Sequence, residues 1–457
     1  MPANVLILKS DEHNPFIAST VGHPFIRTPN MERLAALGTL YESAYCPSPL
    51  CTPSRSSYLT GLPVHEIQCY NNCLAVPRPN FPTYGGVLAA QGVHTMHIGK
   101  VDGHRRPDEL GFSEMYGHIF RGDNPDNHVR RNPVPARKND PRPAMRGVRD
   151  TEIEAFGAHA VHDMQRALDF LTGRAAELDR PWTLEVNLSP PHFPHHVTRE
   201  LWDLYADHED LPEFDVTEPS ADHPYCHDIR YHTQQQNMLP VAAEHRRAYY
   251  GRVTWVDQQL GRLLDAVDAA GLRDSTVVGY TSDHGEMLGK FGMWWKSSMF
   301  EDSVRVPLIL AGPGFSPGVR VSTPVSQWDL QATVFRSVDA RRPGDWWGEP
   351  LQDLAPADEQ RAVFSEYSGH GTRASAFMIR QGRWKFVWNA VRPHQLFDLQ
   401  DDPNELRNLA GEQPDRVAQL TELLRGRFCD PDLEQQRAEE FINEQLRAME
   451  AAGVEVP

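Results

Sequence analysis

"NVLILKSDEH", residues 4–13, sets four apolar residues in a row and follows them at once with Lys9, Ser10, two acids and a histidine. A short continuous apolar run bounded by polar residues reads as a strand buried on both faces. Its end carries Asp11, Glu12 and His13. The same grammar recurs along the chain. "HTMHIGK" (residues 94–100) reads as a strand over 95–98 with Lys100 beyond it. "PWTLEVNLSPPH" (181–192) reads as a strand stopped by Pro190 and Pro191, with His192 after them. "STVVGYTSDHG" (275–285) ends in Asp283 and His284. Helical patterns separate these strands: "NMERLAALG" closed by Gly38, residues 154–178, and a long amphipathic run over 242–270. Strands alternating with helices predict an α/β fold, a mainly parallel sheet flanked by helices. In such sheets sites form beyond the carboxyl ends of the strands. Four strand ends, each with metal-ligating or anion-binding groups, therefore point to one site.

The chain has 457 residues, enough for a large core and more than one domain. A catalytic α/β domain is expected over residues 1–373. After Arg373 the pattern changes: "SAFMIRQGRWKFVWN" reads as a hairpin turning at Gly382, and a helix follows from about Pro414. A small C-terminal α+β subdomain is expected over 374–457. Residues 122–150 and 207–236 are polar and irregular, the form of long surface loops with functional roles.

The net charge of −17 argues against a nucleic-acid partner, which needs a basic footprint. It leaves room for an anionic substrate in a locally cationic pocket. No apolar run approaches the ~20 residues of a membrane span, and the first residues show no basic segment followed by a cleavable apolar one. A cytoplasmic enzyme is the simplest expectation. Six cysteines in 457 residues do not form a disulfide scaffold.

"CPSPLCTPSRSSYLTG", residues 46–61, is the second informative stretch. Cys51 precedes a helix whose first turn can begin at Pro53. Groups at that end feel the helix dipole, which favours negative charge, and Arg55 can hold an anion or orient a neighbour. Asp11, Glu12 and Asp283 offer oxygens to a hard cation, and His284 adds a nitrogen. That set suits Ca²⁺, Mg²⁺ or Mn²⁺, and the imidazole tilts it toward Mn²⁺ or Zn²⁺. A rival reading uses Cys46, Cys51, Cys69 and Cys73, whose spacings also fit a four-thiolate zinc site in a binding protein without turnover. A plain buried thiol at Cys51 is a third.

"CTPSRSSYLTG" resembles the signature of the formylglycine-dependent (type I) sulfatases of the alkaline phosphatase superfamily, Cys-x-Pro-Ser-Arg followed by Thr-Gly. "NVLILKSDEHN" is similar to that family's first strand with its metal acids, "HIGK" to its Gly-Lys motif, "SPPHFP" to its Pro-His motif, and "SDHGEMLGKFGMWWK" to its Asp-His-Gly block with a downstream lysine. "LFDLQDDPNELRNLAG" resembles its C-terminal subdomain. The motifs occur in family order over nearly the whole chain.

The resemblance implies an alkaline-phosphatase-like fold and a sulfatase that hydrolyses a sulfate monoester to alcohol and sulfate. It implies that Cys51 is converted to Cα-formylglycine by a formylglycine-generating enzyme. Asp11, Glu12, Cys51, Asp283 and His284 would hold a divalent metal, Ca²⁺ foremost. Arg55 would steady the formylglycine hydrate. Lys100, His192 and Lys296 would bind sulfate oxygens or protonate the leaving alcohol, and Asn72 would contact the sulfate. One hydrate hydroxyl attacks sulfur and expels the alcohol. The second then collapses to the aldehyde and ejects sulfate by C–O cleavage, a route closed to a serine.

Three positions depart from the family pattern. Asp102 stands in "GKVDGH" where many relatives have histidine, with His104 as a substitute substrate-binding residue. Glu12 stands where Asp or Gln is common. His284 stands where many sulfatases have Asn, as in choline-sulfatase-like and phosphonate-monoesterase-like members. The alternative function is thus a phosphonate monoester or phosphodiester hydrolase with the same formylglycine site, while Lys100 favours sulfate. His195 and His196 read as loop residues, and His94 and His97 as strand residues. Trp294 and Trp295 read as core packing or as walls of a pocket. The charged helix over 414–452 reads as solvated, and a homo-oligomer through it is compatible with the sequence.

Overall fold

The computed structural model describes residues 2–76, 80–208 and 210–457. Its centre is an eight-stranded sheet. From one edge the order is Val319–Val321, Gly38–Tyr41, Leu308–Ala311, Thr276–Ser282, Asn4–Asp11, Trp182–Pro191, His94–Lys100 and Glu114–His118. Asn4–Asp11 pairs in parallel with Trp182–Pro191 on one side and Thr276–Ser282 on the other. His94–Lys100 continues the parallel set, and Leu308–Ala311 runs antiparallel to both its neighbours. The four strands read from the sequence are therefore four adjacent parallel strands, the fourth to seventh of the eight, their carboxyl ends side by side.

Successive side chains of a strand point to opposite faces. Leu6 and Leu8 join Ile98, Leu184 and Val186 on one face, covered by Trp255, Leu260 and Leu263 of the long helix Ala242–Ala269. Val5 and Ile7 face the other way, into a core shared with Tyr58 and Leu59 of the helix Cys51–Thr60. That ten-residue helix is buried along its whole length. It carries polar residues on every side, so its burial follows from the hydrogen bonds described below.

Gly38 does follow the first helix, Pro29–Leu37. Its φ of −155° is not left-handed. It is required because a Cβ there would lie 2.1 Å from the Leu310 carbonyl oxygen across the sheet. The helix expected over 154–178 is broken into Glu152–Phe156, Ala158–Asp169 and a π-helical turn, Phe170–Arg174. Gly157, at φ 89°, makes the first break. The segment expected to be irregular over 207–236 contains a helix, Pro224–His232, with proline in its first turn.

A four-stranded antiparallel sheet, Ala362–Tyr367, Ala376–Gln381, Trp384–Asn389 and Gln395–Asp398, forms the C-terminal subdomain. Gly382, at φ 52°, turns its hairpin as expected. The helix Pro414–Arg427 packs Leu420 and Leu424 on this sheet. The charged pattern from Pro414 reads as one helix to residue 452. Two are found, because the first ends at Phe428 and Pro431 opens the second, Pro431–Ala451. Nor is the second simply solvated: Ile442, Leu446 and Met449 pack on Cys73 and Val129, and Phe441 packs with Val64 and Tyr70. Among the described residues no helix is long and apolar enough to cross a membrane.

Candidate active site

Cys51 lies in the first turn of its helix, two residues earlier than Pro53 alone suggests, and Ser54 N–H already donates to Leu50 O at 2.9 Å. Proline is tolerated throughout a first turn, where its missing N–H has no intrahelical partner. The N-cap, Leu50, offers no side-chain acceptor. Asn72 takes that role from a distant loop, its Oδ1 accepting from Thr52 N–H at 3.1 Å.

Arg55, one turn on, ties the helix to the strand ends. Its Nε donates to Asp283 Oδ2 at 2.8 Å and its Nη2 to Asp11 Oδ2 at 2.9 Å. Its Nη1 donates to Asn187 Oδ1 at 2.8 Å and to the Lys100 carbonyl at 3.2 Å. One guanidinium thus registers four sheet strands and the Cys51 helix. Ser54 Oγ adds a 2.6 Å bond to the Asp283 carbonyl.

The other expected residues meet at the same point. Lys100 Nζ is 2.6 Å from Asp11 Oδ2. Lys296 Nζ is 3.1 Å from Glu12 Oε2, and His192 Nε2 is 3.3 Å from that same oxygen. His284 Nε2 lies 3.3 Å from Cys51 Sγ. Gly285 completes the Asp-His-Gly turn for a steric reason: its Cβ would lie 2.0 Å from the Asp302 carbonyl oxygen.

These groups perturb one another. Burial alone would raise Asp11, but Lys100, His192 and Arg55 hold its carboxyl well below the usual range. Burial pushes Glu12 well above that range, against the pull of Lys296. Burial also opposes the His284 imidazolium, and the Asp283 carboxylate overrides it, pushing the pKa up to about 9. Burial and Asp11 push the Cys51 thiol up. Lys100, Lys296 and His284 outweigh them, so it ends below its ordinary value. Strong perturbation at a cleft by named charges is a mark of functional sites.

Two buried oxygens, Asp11 Oδ1 and Glu12 Oε1, have no hydrogen-bond partner among the described residues. A buried carboxylate oxygen left unpaired is costly. Ligand atoms of Asp11, Cys51, Asp283 and His284 all lie within 4.8 Å of one another, as do those of Asp11, Glu12 and His192. The orphaned oxygens and this donor set fit a hard divalent cation. No such group among the described residues contains Cys46, Cys69 or Cys73. The four-thiolate zinc arrangement is not formed: Cys73 packs on Met449, and Cys69 Sγ faces Ser56 Oγ at 3.4 Å.

A cleft of about 470 Å³ opens over Cys51 and Asn72. His192, Phe193, Trp295 and Lys296 form one wall. Much of the rest comes from residues 126–145, 232 and 233, the two segments that read as functional loops. Trp295 is a wall residue and Trp294 is core. His195 is buried against His245, and His196 bonds Arg149, so neither shares the site with His192. His94 and His97 are buried in their strand. His104 is buried and is not part of the cleft wall. Asp102 bonds Thr52 Oγ1, beside the nucleophile position, at 3.0 Å.

Sequence reasoning missed Asn187 and Arg121. Asn187 had a signal, a lone amide inside the apolar run "LEVNLSPP". Arg121 had none, since it stands in an irregular segment and meets Asp102 only in the fold.

A family model described as "Sulfatase" matches residues 3–340. The chain belongs to the sulfatase family. A second model, "N-sulphoglucosamine sulphohydrolase, C-terminal", matches residues 289–430. This sulfatase is 32% identical to the choline-sulfatase of Rhizobium meliloti, over 92% of this chain and 84% of that one. It is 28% identical to the arylsulfatase K of Mus musculus, over 96% and 82% of the two chains. The fold matches the crystal structure of the phosphonate monoester hydrolase of Agrobacterium radiobacter with a TM-score of 0.75, at 23% identity, covering 92% of this chain and 94% of that one. The protein is a sulfuric ester hydrolase of the alkaline phosphatase superfamily.

Proposed function

We propose that this sulfatase hydrolyses a sulfate monoester through Cα-formylglycine at position 51, installed by a formylglycine-generating enzyme, with a divalent metal, Ca²⁺ foremost, at the strand ends. The observation that carries the reading is the convergence of Cys51, Asp11, Asp283 and His284, whose ligand atoms lie within 4.8 Å of one another, with Arg55 bonded to both aspartates. The orphaned oxygens of Asp11 and Glu12 support the metal.

Asp11, Glu12, Asp283 and His284 would hold the ion beside position 51, and Cys51 Sγ marks where an oxygen of the modified residue would project. The ion would supply Lewis-acid stabilisation of negative charge on the nucleophile and on the sulfuryl oxygens. The chain's own residues do the rest. Arg55 keeps the first turn of the helix against the strand ends, so the nucleophile has one position. Lys100 and Lys296, each paired with a carboxylate, meet the charge that develops on the sulfuryl group. Asn72 holds the N-terminal N–H of Thr52 and faces the cleft. His192 Nδ1 is 2.6 Å from the Phe193 carbonyl, which fixes that nitrogen as the protonated one and turns Nε2 to the site. Burial, and Lys296 after it, hold the His192 pKa well below its ordinary value. Lys296 then stands at the cleft wall to donate to a sulfate oxygen or to the departing alcohol, and His192, neutral with Nε2 unprotonated, must first take up a proton at Nε2 before it can do either.

Release of sulfate from a panel of sulfate monoesters, set against release of phosphonate from matched esters, tests the reading. Sulfate esters turning over at the higher kcat/KM support it. A preference for phosphonate esters, or no sulfate release by fully modified protein, contradicts it.

A further inference from the structure

Asp102 occupies a costly place. It is buried, its Oδ2 lies 3.5 Å from Lys100 Nζ, the lysine that also meets Asp11, and it adopts φ 45°. A carboxylate there repels an anionic substrate unless its charge is put to use. Two features show the use. Thr52 Oγ1 donates to Asp102 Oδ1 at 3.0 Å, which fixes the carboxylate to the residue after the nucleophile. Arg121 then forks onto it, Nε to Oδ1 at 2.9 Å and Nη2 to Oδ2 at 3.2 Å. This pairing depends on an unusual backbone. Asp102 N–H donates to the Ile119 carbonyl, and Ile119 itself has φ 67°. A β-branched residue in the left-handed region is an outlier, and such strain persists where a function needs the geometry.

A guanidinium held by one edge keeps its other edge for a second partner. Arg121 Nη1 meets no acceptor among the described residues, the side chain is 28% exposed, and Arg121 lines the cleft with Cys51 and Asn72. The position where many relatives have histidine therefore carries a carboxylate whose partner is a cleft arginine. We propose that Arg121 is a substrate-binding residue, its open edge donating to an anionic sulfuryl oxygen over position 51, and that Asp102 is a positioning residue acting through it. The inference rests on the sulfatase reading above.

The test uses full-length, metal-loaded protein with the modification at Cys51 quantified, and inorganic sulfate as the probe, its binding read by calorimetry so that turnover is not required. R121M weakens sulfate binding about 10- to 100-fold, the value of one or two charge-assisted hydrogen bonds. R121K, which keeps the charge and loses the fork, weakens it less. D102N falls between, and in the R121M background it adds no further loss. An R121M protein that is less heat-stable but binds sulfate within about twofold of wild type overturns the proposal and makes Arg121 a loop clamp. If R121M does not fold, unchanged affinity in R121K overturns it equally. Wild-type protein that neither binds nor releases sulfate overturns the underlying reading instead.

Discussion

His284 Nε2 and Cys51 Sγ stand 3.3 Å apart although 233 positions separate them in the chain. One ends a central strand of the sheet and the other opens a helix buried beside it. Arg55 holds the two elements together through Asp283 and Asp11. That relationship joins the helix to the strand ends at the site, and its consequences can be measured.

Metal removal should cost stability as well as activity, because the buried oxygens of Asp11 and Glu12 lose their partner. An ion present at 100 times its Kd contributes about 2.7 kcal/mol. Chelation is expected to lower the thermal midpoint of the wild type and to leave that of Asp11→Asn nearly unchanged. Thermal unfolding with and without chelator, alongside metal content per chain, checks this. Equal midpoints for chelated and loaded wild type would remove the metal from the account.

Gly285→Ala should act on catalysis more than its size suggests. The new Cβ would sit 2.0 Å from the Asp302 carbonyl, so backbone must move, and His284 moves with it. Overpacking costs about 1–3 kcal/mol, and misplacing a reacting group by an ångström costs about 10²-fold in rate. Steady-state kinetics and denaturation of the one variant measure both. Wild-type kcat in the alanine protein would show that the turn is not rigid.

A buried ion pair joins Lys9 to Glu185 at 2.8 Å, with Asn187 and Tyr84 also donating to Glu185. Burial opposes the Glu185 carboxylate, and Lys9 and His97 override it, so its pKa falls to about 2. An unfolded Glu titrates near about 4.3. The unfolded chain therefore binds the proton more readily, and the pair's contribution is full above about 4.3 and lost as pH falls toward about 2. Glu185→Gln should cost about 3–5 kcal/mol at neutral pH, because Lys9 is left buried and unpaired. The gap between wild type and variant should shrink through that acid window, in denaturant titrations at stepped pH. A gap independent of pH would mean that Glu185 carries no charge in the fold.

Much of this architecture is legible in the sequence because apolar runs, prolines and the polar residues after them are local signals. The parallel centre of the sheet follows from strands such as "NVLIL" and "TVVGY", and the motifs at their ends meet as the topology requires. What is not legible depends on contacts between distant segments. Asp102 reads as a departure from a pattern until Arg121 is seen on it. The break in the helix over 414–452 is marked by Asp430 and Pro431, a signal the charged pattern hides, whereas the burial of its second half by Tyr70 and Cys73 has no local signal. The helix over 154–178 breaks at Gly157, a residue that a helical pattern absorbs unnoticed.

The most direct measurement is a peptide mass spectrum across Cys51 from active protein made with a formylglycine-generating enzyme. Conversion of cysteine to formylglycine lowers the mass by about 18 Da, a covalent change independent of folding. The account predicts that loss, with sulfate release scaling with the converted fraction and absent from Cys51→Ala. A free thiol at position 51 in protein that turns over sulfate esters would contradict it.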